Sequence, residues 1–230
     1  MLKLDNVQIV QGAFSLEADF SVQTARKVAV IGPSGAGKST ILGALGGFIP
    51  LAAGRVYWNG QEITDTKPGK RPISMLFQDN NLFPHLSVSQ NVSLGVRGNL
   101  RLSAEDTSRV AAAIKRVGLE TMNERRPGAL SGGQQSRAAL ARVLVQDRSL
   151  ILLDEPFAAL GPALRNEMLD LVCDLATETN ATLMMVTHAP EDVARIADDV
   201  IFVEGGRAQA PAPAADLMAN PPPALRAYLG

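Results

Sequence analysis

The chain has 230 residues, 46% of them hydrophobic, which is enough for one domain, or one domain carrying a subdomain, to bury a substantial core. With 22 Lys and Arg against 23 Asp and Glu the formal charge is −1, so no global field draws the molecule to nucleic acid or to acidic lipid. A single cysteine, Cys173, excludes an internal disulfide, and no apolar run approaches the ~20 residues that cross a bilayer.

In chain order, "MLKLDNVQIV" lacks the charged and apolar regions of a signal peptide, so a reducing cytosolic location is expected. The segments "LKLDNVQIV" and "FSLEADFSV", and later "GRVYWNG", read as antiparallel strands closed by turns. They suggest a small β-layer beside a main sheet. That sheet is predicted from short apolar runs alternating with helical patterns: "KVAVIG" before "GKSTILGALGGF", "LILLD" before "ALRNEMLDLVCDLA", and "TLMMVTH" before "EDVARIA". The alternation argues an α/β chain with a largely parallel, buried sheet. Between Gln78 and about Asp147 the strand signal vanishes. There Ser103 is expected to cap a helix with Val110, Ile114 and Val117 on one face and Gly118 at its end. The expected organisation is a single domain with a core from 1–78 and 148–206, an inserted helical subdomain from 79–147 and a tail from 207–230. The Pro- and Ala-rich tail is expected to be loosely attached, with one short helix and no chemistry.

Three motifs carry chemistry. "GPSGAGKST" follows an apolar strand and precedes an apolar helix, the context a phosphate-binding loop requires. Gly32, Pro33, Ser34, Gly35, Ala36, Gly37, Lys38, Ser39 and Thr40 are its residues. N–H groups from Ser34 to Ser39 would wrap phosphates, Lys38 would reach the terminal ones, and the Ser39 hydroxyl would ligate Mg²⁺. "LILLDEP" delivers two carboxylates at the end of a buried strand, where open α/β sheets place their ligands. Asp154 would hold Mg²⁺, and Glu155 would orient and partly deprotonate an attacking water. In "LSGGQ", Ser131 and Gln134 have capping-box spacing, yet Gly132 and Gly133 between them each cost roughly 1 kcal/mol against Ala inside a helix. Bare N–H groups at a positive helix end suit an anion.

In this order the three motifs resemble the ATP-binding cassette of ABC transporters, whose core is a RecA-like P-loop NTPase fold. The resemblance runs from the first strand to about Gly206. It implies that two copies sandwich two ATP head to tail, with Ser131, Gly132, Gly133 and Gln134 gripping the γ-phosphate on the opposite chain. It further implies that Gln78 touches Mg²⁺ and the attacking water, and that His188 contacts the γ-phosphate and assists Glu155. Two departures stand out. Gln11 occupies the place where the family sets an aromatic ring under the adenine, leaving Phe14 as a substitute. "AALG", Ala158 to Gly161, replaces the usual "SALD" and loses the acidic group that helps couple the two sites.

The stretches "RPISMLFQDNNLFPHLSVSQNVSLGV" and "LLDEPFAALGPALRNEMLDLV" are most similar to ATP-binding subunits of bacterial thiamine importers. This implies a homodimer, integral membrane permease subunits, a periplasmic solute-binding protein acting indirectly, and a peripheral place on the cytoplasmic side of the inner membrane. It also implies a groove around Asn80 to Pro84 that takes a helix of the permease. Iron, polyamine or anion importers, and an ATP-dependent dimerisation switch without transport, are the alternatives.

Overall fold

The structure, a computed structural model, describes residues 1–158 and 160–229, the Leu229 side chain excepted. Strands β1 (Leu2–Gln11) and β2 (Phe14–Val22) form an antiparallel hairpin, and β4 (Ala53–Trp58) with the short β5 (Gln61–Glu62) extends it along β1. Alternation along β2 buries Leu16, Ala18, Phe20 and Val22 and exposes the residues between them, the period-two signature of a sheet wet on one face.

The main sheet is parallel: β3 (Lys27–Ile31), β6 (Ile73–Leu76), β7 (Leu150–Asp154), β8 (Thr182–Val186) and β9 (Asp199–Glu204) lie in the order β9-β3-β8-β7-β6. Every residue of β7 and β8 is buried, which explains why these strands read as unbroken apolar runs. Leu150 and Leu152 face one core while Ile151 and Leu153 face the other. The first core holds Ile41, Leu42 and Leu45 of α1 (Lys38–Gly46) and the inner faces of the β-layer. The second is closed by Met168, Leu169 and Val172 of α5 (Pro162–Glu178). The β-layer is not separate from the main sheet: β10 (Arg207–Ala208) pairs with β2 on one side and β9 on the other, giving one hydrogen-bonded path.

Between β6 and β7 lie α2 (Val88–Ser93), α3 (Ala104–Arg116) and α4 (Gly132–Leu144), which share a core of their own built from Val88, Val92, Val110, Ile114, Val117 and Ala138. Each of the three opens on a reciprocal capping box, Ser87 with Gln90, Ser103 with Asp106 and Ser131 with Gln134, so both partners satisfy end N–H groups that water would otherwise take. Gly118 follows α3 at φ 68°, the left-handed stop that glycine supplies.

The tail corrects the expectation of loose attachment and of one short helix. Strand β11 (Ala212–Pro213) pairs with β9, and α7 (Ala214–Ala219) and α8 (Pro223–Leu229) follow it. Fully buried Leu225 of α8 joins Ala29, Ile31, Val200 and Phe202 in a fourth cluster, which covers β3 and β9. Pro and Ala richness disguised an anchored segment, because one Leu and a few small residues suffice to seat so short a helix on apolar strands.

The end of α1 depends on a buried cation. Arg71, only 4% exposed, donates to the Ala44 and Leu45 carbonyls at 2.9 and 2.6 Å and to those of Thr64 and Thr66 at 2.7 and 2.8 Å. The negative end of the helix is thereby satisfied, while burial lowers the guanidinium pKa from its ordinary value. Arg71→Ala leaves these acceptors buried without a donor and should cost about 2–4 kcal/mol, read as a lower denaturation midpoint. A midpoint like that of the native chain would reject Arg71 as the anchor of α1.

Candidate functional site

The site begins where β3 ends. Gly32 has φ 148° and a Cβ there would stand 2.1 Å from the Val203 carbonyl oxygen, so only glycine lets the turn pass β9 so closely. Gly37, at φ 104°, is the residue before α1, and a Cβ there would meet the Phe14 ring at 2.7 Å. No side chain caps α1 and no acidic residue occupies its first turn, so its end N–H groups await an external acceptor. Lys38, 5% exposed, folds back to donate to the Gly32 and Pro33 carbonyls, 2.9 Å each. Burial lowers its pKa, opposed by the nearby charges of Glu155 and Asp154.

Beside this loop, β7 delivers Asp154, which accepts a 2.8 Å hydrogen bond from the Ser39 hydroxyl. Burial raises the Asp154 pKa above the usual carboxylate value. At the next residue the chain turns sharply: Glu155 has φ 46°, a strained conformation for a non-glycine residue, and its N–H donates to Val186 O at 3.2 Å. Its carboxylate lies 2.5 Å from His188 Nε2. His188 follows β8, on a loop held by Thr187, whose hydroxyl donates to Asp192 and accepts from the Ala189 N–H, while Arg165 pairs with the same carboxylate. Gln11, Phe14, Ser34, Gly35, Gly37, Lys38, Ser39, Thr40, Glu155 and His188 line a cleft of about 350 Å³.

Of the expected residues, Gln78 and the four that open α4 stand apart from that cleft. Gln78 is exposed in the turn two residues beyond β6, on the same carboxyl edge of the sheet but not on the cleft wall. Ser131, Gly132, Gly133 and Gln134 open α4 elsewhere. The Ser131 hydroxyl accepts from the Gln134 N–H at 3.3 Å, and the Gln134 side chain accepts from the Ser131 N–H at 2.9 Å. The glycines there differ from each other. A Cβ at Gly132 meets nothing within 4 Å, whereas one at Gly133 would strike Leu164 of α5 at 2.4 Å. Close helix packing within the chain is therefore a sufficient reason for glycine at 133, whereas no packing contact requires one at 132.

Sequence reasoning passed over Arg142. From α4 its guanidinium donates to the carbonyls of Asn81 and Asn80 at 2.8 and 2.9 Å, tying the segment after Gln78 to the helix that begins at Ser131. Consecutive Asn80 and Asn81 both take left-handed φ, 56° and 52°, which Asn tolerates better than other side chains. The "DNN" run was the available signal. Gln11 and Phe14 both line the cleft, Phe14 lying over Gly37. Gly161 is the residue before α5, with room for a Cβ and no side-chain cap.

The donor set suits Mg²⁺. The oxygens of Ser39 and Asp154 are hard ligands, and among the described residues no cluster of His, Cys, Asp or Glu competes as an all-protein metal cage. Mg²⁺ characteristically uses one or two carboxylates and keeps water or phosphate for its other positions. A cation would also offset the desolvation that raises the Asp154 pKa.

Comparison with known proteins agrees with this geometry. A family model described as ABC transporter matches residues 16–158. The thiamine import ATP-binding proteins ThiQ of Ruegeria sp. (strain TM1040) and Cereibacter sphaeroides are 57% and 56% identical over 230 residues, covering all of both chains. That of Brucella suis biovar 1 is 46% identical, over all of this chain and 95% of the relative. Among solved structures, dimeric MJ0796, a bacterial ABC transporter cassette, superposes with a TM-score of 0.82 at 30% identity, covering 93% of this chain and 99% of that one. The same cassette has been solved as a post-hydrolysis dimer bound to ADP and Pi, with equal similarity. No described helix is long and apolar enough to cross a membrane. A phosphate loop at the end of β3, a carboxylate pair at the end of β7 and a glycine-opened α4, together with these matches over most of the sequence, establish that the chain belongs to the ABC transporter family of ATP-binding proteins.

Proposed function

We propose that the chain is the ATP-hydrolysing subunit of a bacterial importer that takes up thiamine through a separate membrane permease. The observation that carries the hydrolytic reading is the junction of Ser39, Asp154, Glu155 and His188 beside the uncapped N-terminus of α1. The solute follows from the names of relatives that match end to end. Iron, polyamine or anion import share the same chemistry and rank behind it.

In this reading the backbone from Ser34 to Ser39 cradles the phosphates of ATP, and Lys38 exchanges the Gly32 and Pro33 carbonyls for terminal phosphate oxygens. Ser39, Asp154 and Gln78 would hold Mg²⁺. The ion would supply neutralisation of charge on the transferred phosphoryl group. Glu155 accepts a proton from the attacking water, and His188 donates from Nε2 to hold Glu155 and the γ-phosphate. Phe14 offers a ring to the adenine where Gln11 supplies none.

Ser131 and Gln134 do not line their own chain's cleft, and their exposed helix end is proposed to close the cleft of a second copy. Solved cassette dimers in the family support that pairing. Closure is proposed to move the segment from Asn80 to Pro84, which Arg142 ties to α4, under the permease. The cassette would then sit peripherally on the cytoplasmic side of the membrane, with the periplasmic solute-binding protein acting from the other side.

Glu155→Gln should slow hydrolysis about 10²-fold or more with ATP affinity retained, because the base is lost and the cradle is not. Near-native turnover would remove Glu155 from that role. In the host organism, loss of the chain should abolish uptake of labelled thiamine, restored by the native sequence and not by Glu155→Gln. Intact thiamine uptake alongside loss of another solute would reassign the cargo.

Ser131→Arg should prevent ATP-dependent dimerisation and leave monomer binding of ATP unchanged, as read by light scattering and nucleotide titration. A normal ATP dimer would refute the shared site. Because a Cβ at Gly161 is free of contacts, Gly161→Asp should fold normally and raise the Hill coefficient for ATP. An unchanged coefficient would show that the acidic residue missing here does not set coupling.

A further inference from the structure

Helix α8 brings a polar group to the switch histidine from the tail. The Tyr228 hydroxyl lies 3.5 Å from His188 Nδ1, on the side of the ring opposite the Nε2 contact with Glu155. The Tyr228 ring packs at 6.3 Å from Phe202 of β9, and Leu225, three residues earlier, is fully buried. The tyrosine is thus seated by the core.

The direction of the protons follows from the carboxylate end. A carboxylate accepts, so in the neutral ring Nε2 carries the hydrogen toward Glu155. Nδ1 is then an acceptor, and the Tyr228 O–H is placed to donate to it. Burial raises the Tyr228 pKa, which keeps the hydroxyl a donor at neutral pH. Both groups that His188 must serve during hydrolysis, the Glu155 carboxylate and the terminal phosphate, are anionic acceptors. A tautomer with hydrogen on Nδ1 would present them with a lone pair.

We propose that Tyr228 is a positioning residue that holds His188 in the Nε2–H tautomer through a Tyr228–His188–Glu155 relay, so that the C-terminal helix sets the competence of the ATP site. The inference rests on the hydrolytic reading above. It assigns a role to a segment that composition alone marks as inert, and it makes seating of α8 a condition for turnover.

Tyr228→Phe removes one hydroxyl and keeps the packing on Phe202. Turnover of the purified native chain and this variant should be compared, with long-range ¹H–¹⁵N spectra of ¹⁵N-histidine protein; with only His85 and His188 present, His85 is the internal control. The expected result is a fall of about threefold to tenfold in kcat, the effect of one lost neutral hydrogen bond, with KM for ATP within about twofold. The His188 spectrum should pass from Nε2–H alone to a mixture of tautomers while that of His85 stays fixed. Unchanged kcat, or a fall in kcat without a change of tautomer, overturns the proposal. Glu155→Gln run in parallel separates the two readings: if it alone keeps native turnover, the hydrolytic reading fails, whereas if it stops turnover and Tyr228→Phe does not slow it, the relay fails by itself.

Discussion

A strand buried on both faces cannot carry charge along its length, and this constraint organises the molecule. Strands β3, β7 and β8 lie inside the sheet with apolar neighbours above and below, so an ionisable group can appear only where each strand ends and water returns. Because the three are parallel, their carboxyl ends fall on one edge. Gly32, Thr187 and Asp154 follow one another across it, and the phosphate loop, His188 and Glu155 extend from them. The site is a consequence of topology before it is a matter of individual side chains.

Helix ends form the second level of order. In the helical insert, Ser87, Ser103 and Ser131 close their own helix starts, whereas α1 opens on bare glycine and leaves its N–H groups outward. The uncapped end of α1 also borders the cleft, where an external anion would meet it. Its other end is fixed by Arg71, so the dipole is satisfied internally at one pole only. The Ser131 end is intermediate, self-capped yet exposed, with room at Gly132 for an approaching group.

Fold class, the parallel core and the helical insert were legible because they rest on periodicity: unbroken apolar runs for β7 and β8, and Val110, Ile114 and Val117 on one face of α3. Phosphate-loop spacing likewise located the loop beside Asp154 and Glu155. What escaped was long-range contact between polar residues of ordinary type. Arg142 meets Asn80 some sixty positions away, and Tyr228 meets His188 from a tail whose composition suggests disorder. Neither pairing leaves a local pattern, since each depends on how two elements are brought together. Gly133 carries a second constraint of the same hidden kind: a glycine cleared for Leu164 looks in sequence like one cleared for a ligand.

If Ser131 and its neighbours close the cleft of a second copy, turnover must depend on molecularity. The direct measurement is ATP turnover per chain as a function of protein concentration, at saturating Mg·ATP. The account predicts that specific activity rises with concentration and levels off as chains pair. Specific activity that stays constant down to concentrations where the protein is demonstrably monomeric would contradict it, because a lone chain would then possess a complete hydrolytic site.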